Sequence, residues 1–140
     1  MFTLDTTTRF GARIADDLVR EEVIWLTTVD ADGTPQPSPV WFLWTGAEFL
    51  IFSQPDKRKL HNIARSPRVS LNLRGDELGD EIAVFTGDAT LEGAAPSRDE
   101  RAAYDVKYAG PIVRIGYTLE SFAQDYSVPL RVIPDRLRGF

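Results

Sequence analysis

The sequence contains no cysteine and a single histidine. Disulfides, thiolate metal sites and cysteine nucleophiles are therefore excluded, and a lone His builds no transition-metal cluster. No window approaches the ~18 apolar residues of a membrane-spanning helix. The opening Met1-Phe2-Thr3-Leu4-Asp5 lacks a basic segment followed by an apolar run. A cytoplasmic protein with no metal centre is expected. An excess of positive charge is missing as well: 16 basic side chains stand against 21 acidic ones, a net charge of −5. That balance argues against a nucleic-acid or anionic-membrane surface, so any anion site must be local.

Catalytic constellations are also lacking. His61 has no Ser, Cys or carboxylate partner at a motif spacing, and Asp76, Glu77, Asp80 and Glu81 do not follow the spacing of a calcium loop. Glu48 and Asp88 can pair with cations, but nothing marks a carboxylate dyad. No catalytic side chain is assigned. Internal repeats, linkers and low-complexity tracts are absent too, and the 140 residues read as one domain, 1–140.

What is present is a succession of short strands. Thr6-Thr7-Thr8 caps a first helix with Phe10, Ile14, Leu18 and Val19 on one face. The β-branched and aromatic run 23–29 leads into the turn Asp30-Ala31-Asp32-Gly33-Thr34 and a return run, Pro35 to Trp44, whose three prolines imply a sheet edge or an irregular entry to the strand. After Thr45-Gly46-Ala47, Glu48 to Ser53 reads as the third strand of a meander. Asp56 is placed to cap a helix reaching Ser66, and Arg68 to Arg74 alternates cleanly. The run 82–92 is a further strand with a bend or bulge at Gly87. A polar helix opens at Pro96-Ser97 and breaks at Gly110-Pro111, a short helix covers 119–126, and 127–138 closes the domain as a strand. The class is mainly β with peripheral helices, an antiparallel barrel of α+β type.

Two stretches concentrate binding chemistry. At Ser53-Gln54-Pro55-Asp56-Lys57-Arg58-Lys59-Leu60-His61-Asn62 a strand end offers a hydroxyl and free N–H groups, and Lys57, Lys59 and Asn62 follow in the opening turns of a helix. A phosphate would meet donors of three kinds there, while a solvated basic helix start is the plain alternative. Cations at a helix start oppose its dipole, which makes an anion the more coherent partner. In Pro37-Ser38-Pro39-Val40-Trp41-Phe42, unpaired peptide groups beside flat side chains suit the edge and face of a planar ring. Core packing is the alternative: it is the better account of Phe42 and leaves Trp41 open.

The order of these features carries a resemblance: an Asp-Gly turn, a Pro-rich strand ending Pro39-Val40-Trp41-Phe42, a strand ending Phe52-Ser53, then Lys57-x-Lys59-x-x-Asn62-Ile63 before Pro67. It resembles the pyridoxamine 5′-phosphate oxidase-like split β-barrel flavoproteins, and more narrowly the actinobacterial branch that uses the deazaflavin coenzyme F420. No single residue is diagnostic; the ordered set is. The resemblance implies a homodimer with a cofactor at the subunit interface. It implies that Ser53, Lys57, Lys59 and Asn62 hold the cofactor phosphate and that Pro39, Val40 and Trp41 lie along its ring. A wall from the partner subunit is expected near Trp44 or the last strand. The implied activity is hydride transfer from F420 to a small unsaturated or quinone-like acceptor. FMN-dependent oxidoreduction, or non-catalytic flavin or haem binding on the same barrel, is the alternative. The short last strand offers no counterpart to the typical oxidase's substrate-phosphate residues. The lysine pair favours the more anionic F420 tail.

Overall fold

The computed structural model describes residues 2–140. Seven strands form one antiparallel sheet: β1 (Ile24–Val29), β2 (Pro35–Val40), β3 (Leu43–Trp44), β4 (Phe49–Ser53), β5 (Arg68–Asn72), β6 (Ala83–Thr90) and β7 (Val128–Gly139). Their order across the sheet is β2-β1-β5-β6-β7-β4-β3. The sheet curls into a split β-barrel with four peripheral helices, α1 (Arg9–Arg20), α2 (Arg58–Arg65), α3 (Arg98–Arg114) and α4 (Leu119–Asp125). The expected class holds.

The local signals explain most elements. Thr8 caps α1, its hydroxyl accepting the Gly11 N–H at 2.9 Å. Ile14 and Leu18 are buried beneath that helix, but Val19 is 74% exposed, so the apolar face is narrower than the sequence suggested. Gly33 takes φ 87° in the β1–β2 turn, as a hairpin of this hand needs. The Pro-rich β2 lies at the sheet edge, where its missing donors cost nothing. At Gly87 the β6–β7 register shifts, and a Cβ there would meet Ile133 O at 2.2 Å. Only glycine admits so close a backbone approach.

Three expectations are corrected. Pro35 to Trp44 is not one strand of a meander: the chain turns at Trp41-Phe42 and carries β3 to the opposite edge, beside β4. Asp56 does not cap α2; it sits at φ 62° in the preceding turn, and Lys57 holds the cap position with no side-chain bond. α3 does not break at Gly110-Pro111. Pro111 removes one helical hydrogen bond, yet its ring is buried, and packing carries the helix on to Arg114.

β4 explains why the core has two parts. All five of its residues are buried, the mark of a strand covered on both faces. Phe49 and Ile51 join Leu26, Leu71, Phe85 and Ile14 inside the barrel. Leu50 and Phe52 pack outward against Tyr104, Tyr108 and Ile112 of α3 and Phe122 of α4. The helical pair is thus fixed over the end of β4, beside the corner that follows β2.

Candidate functional site

A cavity of about 340 Å³ opens where that helical pair, the β2 corner and the start of α2 converge. Its volume is within the range of small-molecule sites. Pro39, Val40 and Trp41 form one wall and Ser53 with Lys57 and Lys59 another, so the two stretches singled out in the sequence meet in one place.

The geometry modifies both stretches. Ser53 is buried, and its hydroxyl donates to Gln54 O at 2.8 Å, so its proton is committed to its own chain. Lys57 and Lys59 have no carboxylate within 4.0 Å among the described residues. Burial holds the half-buried Lys59 ammonium below its ordinary value, and the charge of Lys57 adds to the effect. The charge of Lys57 reaches the Asp125 carboxyl without a direct ion pair, and two adjacent cations not in contact with any carboxylate are what an anion would stabilise.

Asn62 does not line the cavity. It is 3% exposed, and its amide donates to Thr28 Oγ1 at 3.0 Å and Asp30 Oδ1 at 3.1 Å. Its carbonyl accepts from Arg65 at 2.9 Å. Both amide protons and one carbonyl lone pair are engaged, and it braces α2 against β1. The spacing Lys-x-Lys-x-x-Asn placed it near the lysines in sequence, whereas the helix turns it toward the barrel.

Trp41 has a double role. Its ring is stacked on Tyr108, centroids 4.8 Å apart, and on Phe122 at 5.6 Å. The peptide groups at this corner are partly taken: the Phe42 N–H donates to the Tyr108 hydroxyl at 2.9 Å, and Phe42 O accepts from Lys107 Nζ at 3.0 Å. Phe42 is fully buried, as its packing assignment required. Trp44 leans on Phe49 at 4.8 Å, outside the cavity.

Sequence reasoning left the rest of the enclosure unassigned. Tyr104 of α3, Ile115 at its end, Phe122 of α4 and Tyr126 just after it close the remaining side. Phe122 and Tyr126 lie nearly parallel, 13° apart at 4.3 Å. Gln54 ties this cap to β4 by donating to Asp125 Oδ2 at 2.7 Å, the same oxygen that accepts the Tyr117 hydroxyl. The spacing Tyr104, Tyr108, Ile112 was a visible signal, since i and i+4 share a helix face.

Comparison with known proteins places this architecture. The family model for pyridoxamine 5′-phosphate oxidase matches residues 10–133. The chain belongs to that family. No curated protein matches it significantly. Among solved structures it is similar to the conserved hypothetical protein Rv2991 of Mycobacterium tuberculosis, with 26% identity, 91% of this chain and 81% of that one covered, and a TM-score of 0.71. It is also similar to HutZ, the haem storage protein of Vibrio cholerae, at 20% identity, 94% and 95% coverage and TM-score 0.66. An F420 reductase matches at 21% identity, 88% and 94% coverage and TM-score 0.61. The last two likenesses are of fold.

Proposed function

We propose that the protein is a cytoplasmic oxidoreductase that holds coenzyme F420, or alternatively FMN, in this cavity at a homodimer interface and directs a hydride to a small unsaturated or quinone-like acceptor. The observation that carries the reading is the convergence of two unpaired lysines and an aromatic wall on one cavity. Family membership supplies the setting.

The residues present fit such a group. Lys57 and Lys59 neutralise the phosphate, and Pro39 to Trp41 with Tyr126, backed by the buried Phe122, give a planar ring flat surfaces. When bound in its reduced form, the deazaflavin supplies a hydride, and solvent supplies the proton that completes a two-electron reduction of the acceptor. The protein binds, orients and excludes water. No general acid is needed, in keeping with a cavity that lacks any His, Asp or Glu in its lining.

The haem storage relative raises a second reading, a non-catalytic haem protein on the same barrel. His61, the chain's single histidine, is exposed on α2 and does not line the cavity, which favours the deazaflavin or flavin. Titrating the purified protein with F420, FMN and haem, followed by absorbance and fluorescence, tests the reading. Micromolar binding of F420 or FMN supports it; binding of neither ends it. A monomer at the concentrations of binding removes the interface.

A further inference from the structure

Tyr104 is 0% exposed and lines the cavity, and its hydroxyl has no hydrogen-bond partner among the described residues. Rings surround it: Tyr108 at 4.7 Å, Phe52 edge-on at 4.8 Å and Phe122 at 6.3 Å. The hydroxyl of Tyr108, one turn along the helix, is by contrast engaged on both sides. Among the described residues the other two unpaired buried atoms, Arg13 Nε and Asp105 Oδ1, each face an opposite charge, at 3.8 and 3.6 Å, and neither residue lines the cavity. Phenylalanine would fill the space of Tyr104 without the cost of an unbonded hydroxyl. The position therefore carries a polar atom that the described residues do not use.

We propose that the Tyr104 hydroxyl donates a hydrogen bond to a carbonyl or ring-nitrogen acceptor of a planar ligand in this cavity. The proposal rests on the functional reading above only in taking this cavity as the ligand site. Burial pushes the phenol well above its ordinary value, so it stays a donor throughout the physiological range. It also sets orientation: the acceptor edge of the ring goes to Tyr104, and an anionic tail goes to Lys57 and Lys59. A site holding a buried donor discriminates against rings that lack an acceptor.

The test compares wild type with Tyr104→Phe, measuring melting temperature without ligand and affinity for F420, FMN and menadione, a planar quinone with two carbonyls and no phosphate. The expected result is a ligand-free melting temperature no lower in the variant, with affinity about tenfold weaker for each probe that binds wild type. Equal affinities in both proteins overturn the proposal, and so does failure of all three probes to bind wild type. A variant destabilised as much without ligand as with it also overturns it, because the hydroxyl then serves the fold or a trapped water. If menadione alone binds and the variant weakens it, the cofactor reading falls and the Tyr104 assignment stands. If F420 or FMN binds both proteins equally, the reverse holds.

Discussion

The indole of Trp41 lies flat on the ring of Tyr108, 9° from parallel with centroids 4.8 Å apart. The Tyr108 hydroxyl accepts the Phe42 N–H and donates to Glu22 O at 2.6 Å, while Lys107, its neighbour on α3, donates to Phe42 O. Two consecutive helical residues thus clamp the corner at which the chain leaves one edge of the sheet for the other. The wall of the cavity depends on a helix 66 residues further along the chain.

Tyr108→Phe isolates that clamp. The ring stack survives, but the buried Phe42 N–H loses its acceptor and Glu22 O its donor. Leaving such a group unpaired costs about 1–3 kcal/mol. Urea denaturation of wild type and variant measures it; a difference under ~0.5 kcal/mol, the scale of neutral surface changes, would show that the corner holds without the hydroxyl.

The same corner marks the limit of what the sequence discloses. Strand runs, the Gly33 turn, the Thr8 cap and the Gly87 bulge are local, written in propensity and steric need, and each is where the residues indicated. The break at Trp41-Phe42 is tertiary: nothing in those residues announces that Tyr108 and Lys107 will take their peptide groups. The lysines and Pro39 to Trp41 were legible because unusual chemistry stood at a strand end and a sheet edge. Asn62 was not, since a one-dimensional spacing cannot tell which side of α2 faces Thr28 and Asp30. Tyr104 and Tyr108 stood at a readable helical spacing, but Phe122 and Tyr126 were hidden behind the apparent break at Gly110-Pro111, which separated the cap from the helix that carries it.

Among the described residues Lys57 and Lys59 have no side-chain hydrogen bond or ion pair to lose, so replacing them spares the fold and removes anion affinity. The double change Lys57→Ala, Lys59→Ala is expected to weaken F420 or FMN binding at least about tenfold, each charge-assisted bond contributing ~1.5–3 kcal/mol. Wild-type affinity should also fall with added salt more steeply than that of the variant. Isothermal titration at two salt concentrations tests both; equal affinities would return the lysines to the role of a solvated helix start.

Lys107 gives the stability a pH signature. Burial lowers its ammonium to about 8, against the opposing attraction of Glu22 and Glu21, while the unfolded chain titrates near 10.5. Between those values the unfolded chain binds the additional proton, so stability rises with pH across that window and is flat below it. Lys59, also lowered by burial and Lys57, acts in the same direction, and the raised phenols of Tyr104 and Tyr108 reverse the trend above about pH 10. Lys107→Met keeps an apolar stem over the Phe42 ring and removes the charge. Denaturation at intervals from pH 8 to 10 should give a shallower rise in the variant, and parallel slopes would acquit Lys107.

At the acid end the corresponding group is Glu100. Arg131 of β7 is 5% exposed, and its guanidinium donates to both oxygens of Glu100, at 2.7 and 3.0 Å, and to Glu48 at 2.9 Å. This joins the start of α3, and so the cap over the cavity, to the barrel. Arg131, with the Ser97 N–H next, holds the Glu100 carboxyl at about 2, against an ordinary 4.5. A depressed carboxyl contributes stability that is fully present above 4.5 and lost as pH falls toward 2. Glu100→Gln should therefore be less stable at pH 7 yet flatter over that range. The loss is about 1–2 kcal/mol, less than for a fully buried pair, because Glu48 still faces Arg131 and Glu100 is partly exposed. An acid limb as steep in the variant as in wild type would move the sensitivity to Asp135, whose carboxyl is lowered chiefly by its hydrogen bond to Arg68, and would make the central β5–β6–β7 strands rather than the cap the first part to yield.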